Sequence, residues 1–116
     1  MTEQDVRRVI DELLAREWGG VPFDQMAADF KVRHISGPGY RASWGWVLRD
    51  KEFPDHPHPI DTWTYTIAGR AQLFEERKQP LELVARQLIC TPAGTVHRSK
   101  HYAGYEGIEL SAAPTA

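Results

Sequence analysis

The chain has 116 residues, 41% hydrophobic and 26% charged, which fits one globular domain that can bury a core without staples. A formal net charge of −2 offers no basic field for a nucleic-acid backbone, and no stretch approaches the ~18 apolar residues of a membrane span. The single cysteine, Cys90, excludes an internal disulfide and fits a reducing compartment.

Residues 1–8 are polar, carry Glu3, Asp5, Arg7 and Arg8, and hold no apolar run of a signal peptide, so a cytoplasmic protein is expected. Val6, Val9, Ile10, Leu13 and Leu14 then recur at spacings of three and four, which predicts an amphipathic helix over 3–17. Thr2 is placed as its N-cap with Asp5 three residues on, and Gly19-Gly20 and Pro22 stop it. An apolar stripe of this kind packs on the outside of something else. The expected organisation is an N-terminal helical segment, 1–20, a single domain, 21–112, and a C-terminal tail, 113–116.

From Phe30 onward short segments alternate with Gly, Pro and Asp. Strands are expected over 31–35, 40–48, 63–68, 71–76, 81–90 and 105–111, with Gly69-Arg70 as a hairpin turn and Pro92-Ala93-Gly94 within another turn. Asp50-Lys51 and Pro54 are expected to end the second strand. Within 40–48 Trp44, Trp46 and Leu48 share one face, and Arg41, Ser43, Gly45 and Val47 the other. Many short strands at this spacing predict an all-β sandwich or barrel.

Four of the five histidines fall in two clusters, His56-Pro57-His58 and His97-Arg98-Ser99-Lys100-His101. In a strand, residues i and i+2 share a face, so His56 and His58 are expected to aim at one point, with Pro57 and Pro59 restricting the chain beside them. His97 follows a turn and arrives from a different strand. Three neutral imidazoles can hold a divalent ion and leave positions open for water or substrate.

The spacing of these residues resembles the cupin superfamily. The first cupin motif runs Gly, five residues, His-x-His, three or four residues, Glu, six residues, Gly, and 56–69 follow it from the first His to the closing Gly69. The second contains Pro-x-Gly-x-x-His, then three residues and Asn; Pro92-Ala93-Gly94-Thr95-Val96-His97 matches, with His101 at the Asn place. Two departures stand out: Thr62 occupies the usual Glu position, and Lys51 replaces the opening Gly. Asp61, one residue off, is expected to point the other way.

The resemblance implies a cupin-type double-stranded β-helix, a small jelly-roll barrel, carrying the N-terminal α-helix. It implies a divalent metal held by His56, His58 and His97, iron(II) by analogy, with Zn2+, Mn2+ or Ni2+ as alternatives. A site without its carboxylate favours anionic, oxygen-rich ligands, so a small oxygen-rich acid or dicarbonyl is the implied substrate. The reaction would be of dioxygenase type or a metal-assisted isomerisation or elimination, with His101 as a catalytic proton carrier. A ligand-sensing cupin and a metal-free cupin lyase or isomerase are the alternatives.

By parity with Thr62, Thr64 and Thr66 are expected to face the interior. Thr62, Thr64, Trp46 and Arg41 are the expected substrate contacts. Trp63, Tyr65 and Ile67 would face outward and need cover from the helix, the other sheet or a second subunit. That row, with the sheet edges, leads to an expected homodimer. His34 is read as structural and Cys90 as a buried thiol.

Overall fold

The computed structural model describes residues 1–75 and 78–114. Helix α1 spans Glu3–Ala15 and starts where the sequence places it. The Thr2 hydroxyl accepts the Asp5 N–H at 3.1 Å, and the Asp5 carboxylate accepts the Thr2 N–H at 3.0 Å, so the capping box is closed both ways. The helix ends two residues earlier than expected, because Arg16 is already extended.

Among the described residues ten strands follow: β1 Gln25–Met26, β2 Phe30–Gly37, β3 Tyr40–Val47, β4 Lys51–Pro57, β5 Thr62–Ala68, β6 Ala71–Glu75, β7 Leu81–Leu83, β8 Leu88–Thr91, β9 Val96–His101 and β10 Glu106–Ala112. They form two antiparallel sheets, one of six strands in the order β1-β2-β3-β10-β5-β8 and one of four in the order β4-β9-β6-β7. Strands far apart in sequence, β3 with β10 and β4 with β9, lie side by side, which makes the sandwich a jelly roll. Of the expected tail, Ala113 and Pro114 follow β10, and 115–116 lie outside the described residues, as does Glu76 at the end of the expected 71–76 strand.

The main apolar core lies outside the sandwich. Val6, Val9, Ile10 and Leu13 of α1 pack onto Ile35, Tyr40, Ala42, Trp44, Ile108 and Leu110 on the outer face of the larger sheet. Trp63, Tyr65 and Ile67 do face outward, and they are half-buried against this same cluster. The row that seemed to call for a second subunit is therefore covered within the chain. The inner faces carry a smaller apolar cluster, Val47, Ala71, Leu83 and Tyr105 with Phe30 and Ile89 against it, and mix it with hydroxyl and imidazole groups.

Four expectations change. The single strand over 81–90 divides into β7 and β8, which belong to different sheets. Arg86 makes the crossing with a φ of 71°, and its N–H is held by the Thr66 carbonyl at 2.7 Å. Pro54 does not end a strand but sits inside β4. That strand is a sheet edge with a register shift between Phe53 and His56, the setting in which a missing backbone donor is tolerated. Cys90 is exposed rather than buried, because β8 is the outer edge of the larger sheet. Gly69-Arg70 is a turn but not a hairpin: β5 and β6 do not pair, and the turn carries the chain from the six-stranded to the four-stranded sheet. Gly69 has a φ of 77°, and a Cβ there would lie 2.7 Å from the Gly104 carbonyl oxygen.

Candidate metal centre

The structure brings His56, His58 and His97 together, with one ligand nitrogen of each within 4.8 Å of the others. Two strands and one loop do this. Cross-strand pairing sets His56 of β4 directly opposite His97 of β9. His58 lies one residue beyond β4, so it does not arrive by the strand alternation expected of His-x-His. Its carbonyl accepts the Gly94 N–H at 2.9 Å, which ties the loop to the turn leading into β9. The Asp61 carboxylate adds a second tie by accepting the Ala93 N–H at 2.8 Å, so its role here is structural.

The donor set fits a divalent ion. The Nε2 atoms of His58 and His97 are 3.3 Å apart, and two nitrogens bound tetrahedrally at about 2.05 Å to one ion stand roughly 3.3 Å apart. Nδ1 of His56 lies 2.8 Å from the Pro54 carbonyl oxygen. A carbonyl can only accept, so Nδ1 carries the proton and Nε2 presents its lone pair. Such a hydrogen bond from the far ring nitrogen is the usual support of a metal-binding histidine. Burial holds His97 below the ordinary histidine range, with the charges of His58 and His56 adding and Glu75 opposing. It therefore stays neutral, the form a ligand must have. Its Nδ1 is buried and has no hydrogen-bond partner among the described residues.

No family model matches this sequence, and no curated protein matches it. Solved structures do. An RmlC-like cupin from Shewanella frigidimarina superposes with a TM-score of 0.70 at 15% identity, covering 84% of this chain and 89% of that one. KdgF from Halomonas sp. gives 0.69 at 15% identity, covering 81% and 87%. The chain has the cupin fold. A further match, from the structures of the DMSP lyases RdDddP and RnDddQII, gives a TM-score of 0.61 at 19% identity over 70% of this chain and 46% of that one.

Within this cupin barrel the three histidines are divided between the linings of two spaces. His56 and His97 line an interior cavity of about 180 Å³, and His58 and Thr62 line a more open groove of about 450 Å³. Thr62 is buried on the inner face, and its hydroxyl donates to the Ile60 carbonyl at 3.2 Å. Thr64 lines the cavity, and Arg41 lines the groove together with His34. His34, read as structural, also lies 3.1 Å through Nδ1 from the Ser43 hydroxyl. Trp46 is elsewhere: it stacks on Trp44 at 5.5 Å between ring centres on the outer face of β3, against the core under α1. Alternation in β3 puts Trp46 opposite to Ser43 and Gly45, so it cannot wall the cavity that they line.

His101 lines the same cavity, away from the three-histidine cluster. It stands four residues beyond His97 on β9, a rise of about 13 Å along a strand. Its ring packs edge-on against Phe53 and Tyr105, at 5.1 and 4.6 Å between ring centres. Burial pushes its pKa down to about 4, and its Nδ1 finds no partner among the described residues. Tyr105 beside it shares a 3.2 Å hydrogen bond with the Thr66 hydroxyl, and burial raises its pKa. The two form a neutral floor to the cavity.

Among the wall residues that sequence reading missed is Glu109, which lines both the cavity and the groove. The available signal was the alternation Gly107-Ile108-Glu109-Leu110-Ser111. Its polar face reads as solvent-facing until the apolar face is known to lie under a helix.

Proposed function

We propose that this chain is a small metal-dependent cupin enzyme. The observation that supports the reading is the convergence of His56, His58 and His97, with a 3.3 Å separation between two Nε2 atoms and a fixed tautomer at His56. Iron(II) is the proposed ion, and Zn2+, Mn2+ or Ni2+ suit the same nitrogens. When bound, the ion would supply Lewis-acid polarisation of chelated oxygens. The protein's part is selection and orientation. Thr64 offers a hydroxyl in the cavity, and Arg41 offers a guanidinium to an anionic group entering through the groove.

The cavity volume of about 180 Å³ supports a small substrate, and the proposed class is an oxygen-rich acid or a dicarbonyl. The proposed reactions are dioxygen-dependent cleavage and metal-assisted isomerisation or elimination. A neighbour described as a DMSP lyase lends support to elimination. His101 is proposed as a proton carrier only for a substrate long enough to reach the floor, given its place on β9. A second copy of the chain, pairing through the open sheet edges, is the proposed partner, and sedimentation would report its mass.

The test is made on untagged protein. Metal analysis after exposure to each ion in turn should give one equivalent of a transition metal, lost in His97→Ala and kept in His34→Ala. Well under one equivalent of every ion would remove the metal reading. Oxygen uptake and product formation with β-diketones and hydroxy acids would then establish an enzyme. Saturable binding without product would make the chain a sensor.

A further inference from the structure

Three neutral imidazoles leave a divalent ion with its charge uncompensated, and Thr62 stands where cupins place a carboxylate. The neighbouring strand brings one. On β10, Ile108 and Leu110 are 0% and 1% exposed beneath α1, so Gly107, Glu109 and Ser111 turn to the inner face. Register sets Glu109 between Ser43 of β3 and Thr64 of β5. Only Glu109 and Ser43 line both the cavity of His56 and His97 and the groove of His58 and Thr62. An ion held by the three histidines would have ligands from the linings of both spaces, and Glu109, an exposed side chain on β10, is the acidic residue common to the two linings. Among the described residues it is the one acidic side chain in either lining. It makes no ion pair among the described residues, although Arg41 lines the same groove.

We propose that Glu109 is the counter-charge of the three-histidine site, its carboxylate turned toward the ion's open side. There it would accept a hydrogen bond from a water or hydroxyl group entering the cavity. The carboxylate missing from β5 is thus replaced, one strand over, by a group that faces the ligand instead of the histidines. A carboxylate so placed would also be able to take the proton of a substrate hydroxyl: the substrate O–H bond would break, a carboxyl O–H bond would form, and the electron pair would stay on the substrate oxygen. This inference rests on the metal reading above and adds to it the residue that balances charge.

The experiment uses the untagged full chain and Zn2+ alone, with affinity read by competition against a chromophoric chelator. Glu109→Gln should weaken Zn2+ binding by roughly tenfold or more, the usual effect of removing a carboxylate that supports a metal site from outside the ligand set. Glu12→Gln on the exposed face of α1 makes the same change in net charge and should leave the affinity unaltered. A second readout has the opposite sign. With Co2+ bound, acetate should bind more tightly to Glu109→Gln than to the wild type, seen in the visible spectrum, because the neutral amide no longer repels the anion or offsets the ion's charge. Damage to the fold would weaken both. Should Glu109→Gln not fold, Glu109→Asp keeps the charge at shorter reach and should give an intermediate Zn2+ affinity. Wild-type affinity in the folded variant, with acetate binding unchanged, would overturn the role of Glu109 and leave the metal reading standing. No ion uptake by the wild type would overturn both.

Discussion

Thr62 stands on the inner face of β5, buried, with its hydroxyl spent on the Ile60 carbonyl. A longer acidic side chain at that position would reach the same space as His58, which lines the groove beside it. Thr62→Glu should therefore tighten metal retention by about tenfold, a gain of about 1.4 kcal/mol, measured by chelator competition. Unchanged affinity would mean that Thr62 does not look toward the ion. His101 gives a prediction of a different kind. In the unfolded chain it titrates near 6.5, and in the folded chain near 4, because burial disfavours the charged ring. Between those values the unfolded state binds a proton that the folded state does not. This contribution is therefore intact above about pH 6.5 and declines as the pH falls toward 4, by about 2–3 kcal/mol. Urea midpoints at pH 7 and pH 4.5 should show that acid-linked loss in the wild type and a smaller loss in His101→Phe. Equal losses would show that His101 is not the group responsible. Residue-level legibility differed between these two positions. Thr62 could be placed by counting from Gly69, whereas the distance of His101 from the cluster depends on β9 running straight past His97.

The start and apolar face of helix α1 were legible, since its cap and its apolar spacing are local, while its end fell two residues short of the expected one. Its importance was less visible. It does not decorate a barrel that already has its core; it provides one side of the main core. Leu13, fully buried, should cost about 2–5 kcal/mol as Leu13→Ala, and Thr2→Ala about 1 kcal/mol through loss of the cap, both read from chemical denaturation. Equal, small effects would indicate a loosely docked helix. β4 was illegible for the opposite reason. Its Lys51–Pro57 sequence contains two prolines and a bulge, and only its edge position next to β9 makes it a strand. The division of 81–90 into β7 and β8 likewise depends on two sheets competing for one apolar run, which periodicity within the run does not record. Glu109 was overlooked on the same ground: an amphipathic strand has a polar face, and only the position of α1 shows that this face is the inner one.

At the scale of the whole molecule, the histidine site lies where the chain passes between the two layers. His56 and His97 belong to the four-stranded sheet, and His58 lies in the connection that carries the chain from β4 to β5 of the six-stranded sheet. An ion held by all three would tie the β4–β5 connection to β4 and β9. The unfolded chain has no such preformed site, so binding should appear directly as stability. At a free ion concentration about 100 times the dissociation constant the gain is about 2.7 kcal/mol, which for a domain of this length raises the melting temperature by roughly 10 °C. Heating scans of untagged protein with and without Zn2+ or Ni2+ should show that rise, and a chelator should reverse it. His97→Ala should melt at one temperature in both conditions, since removing one of three ligands opens that tie. His34→Ala should keep the full rise, because His34 lies on β2 outside the cluster. A rise of the same size in His97→Ala would place the stabilising ion elsewhere on the surface and remove that tie from the account of this protein.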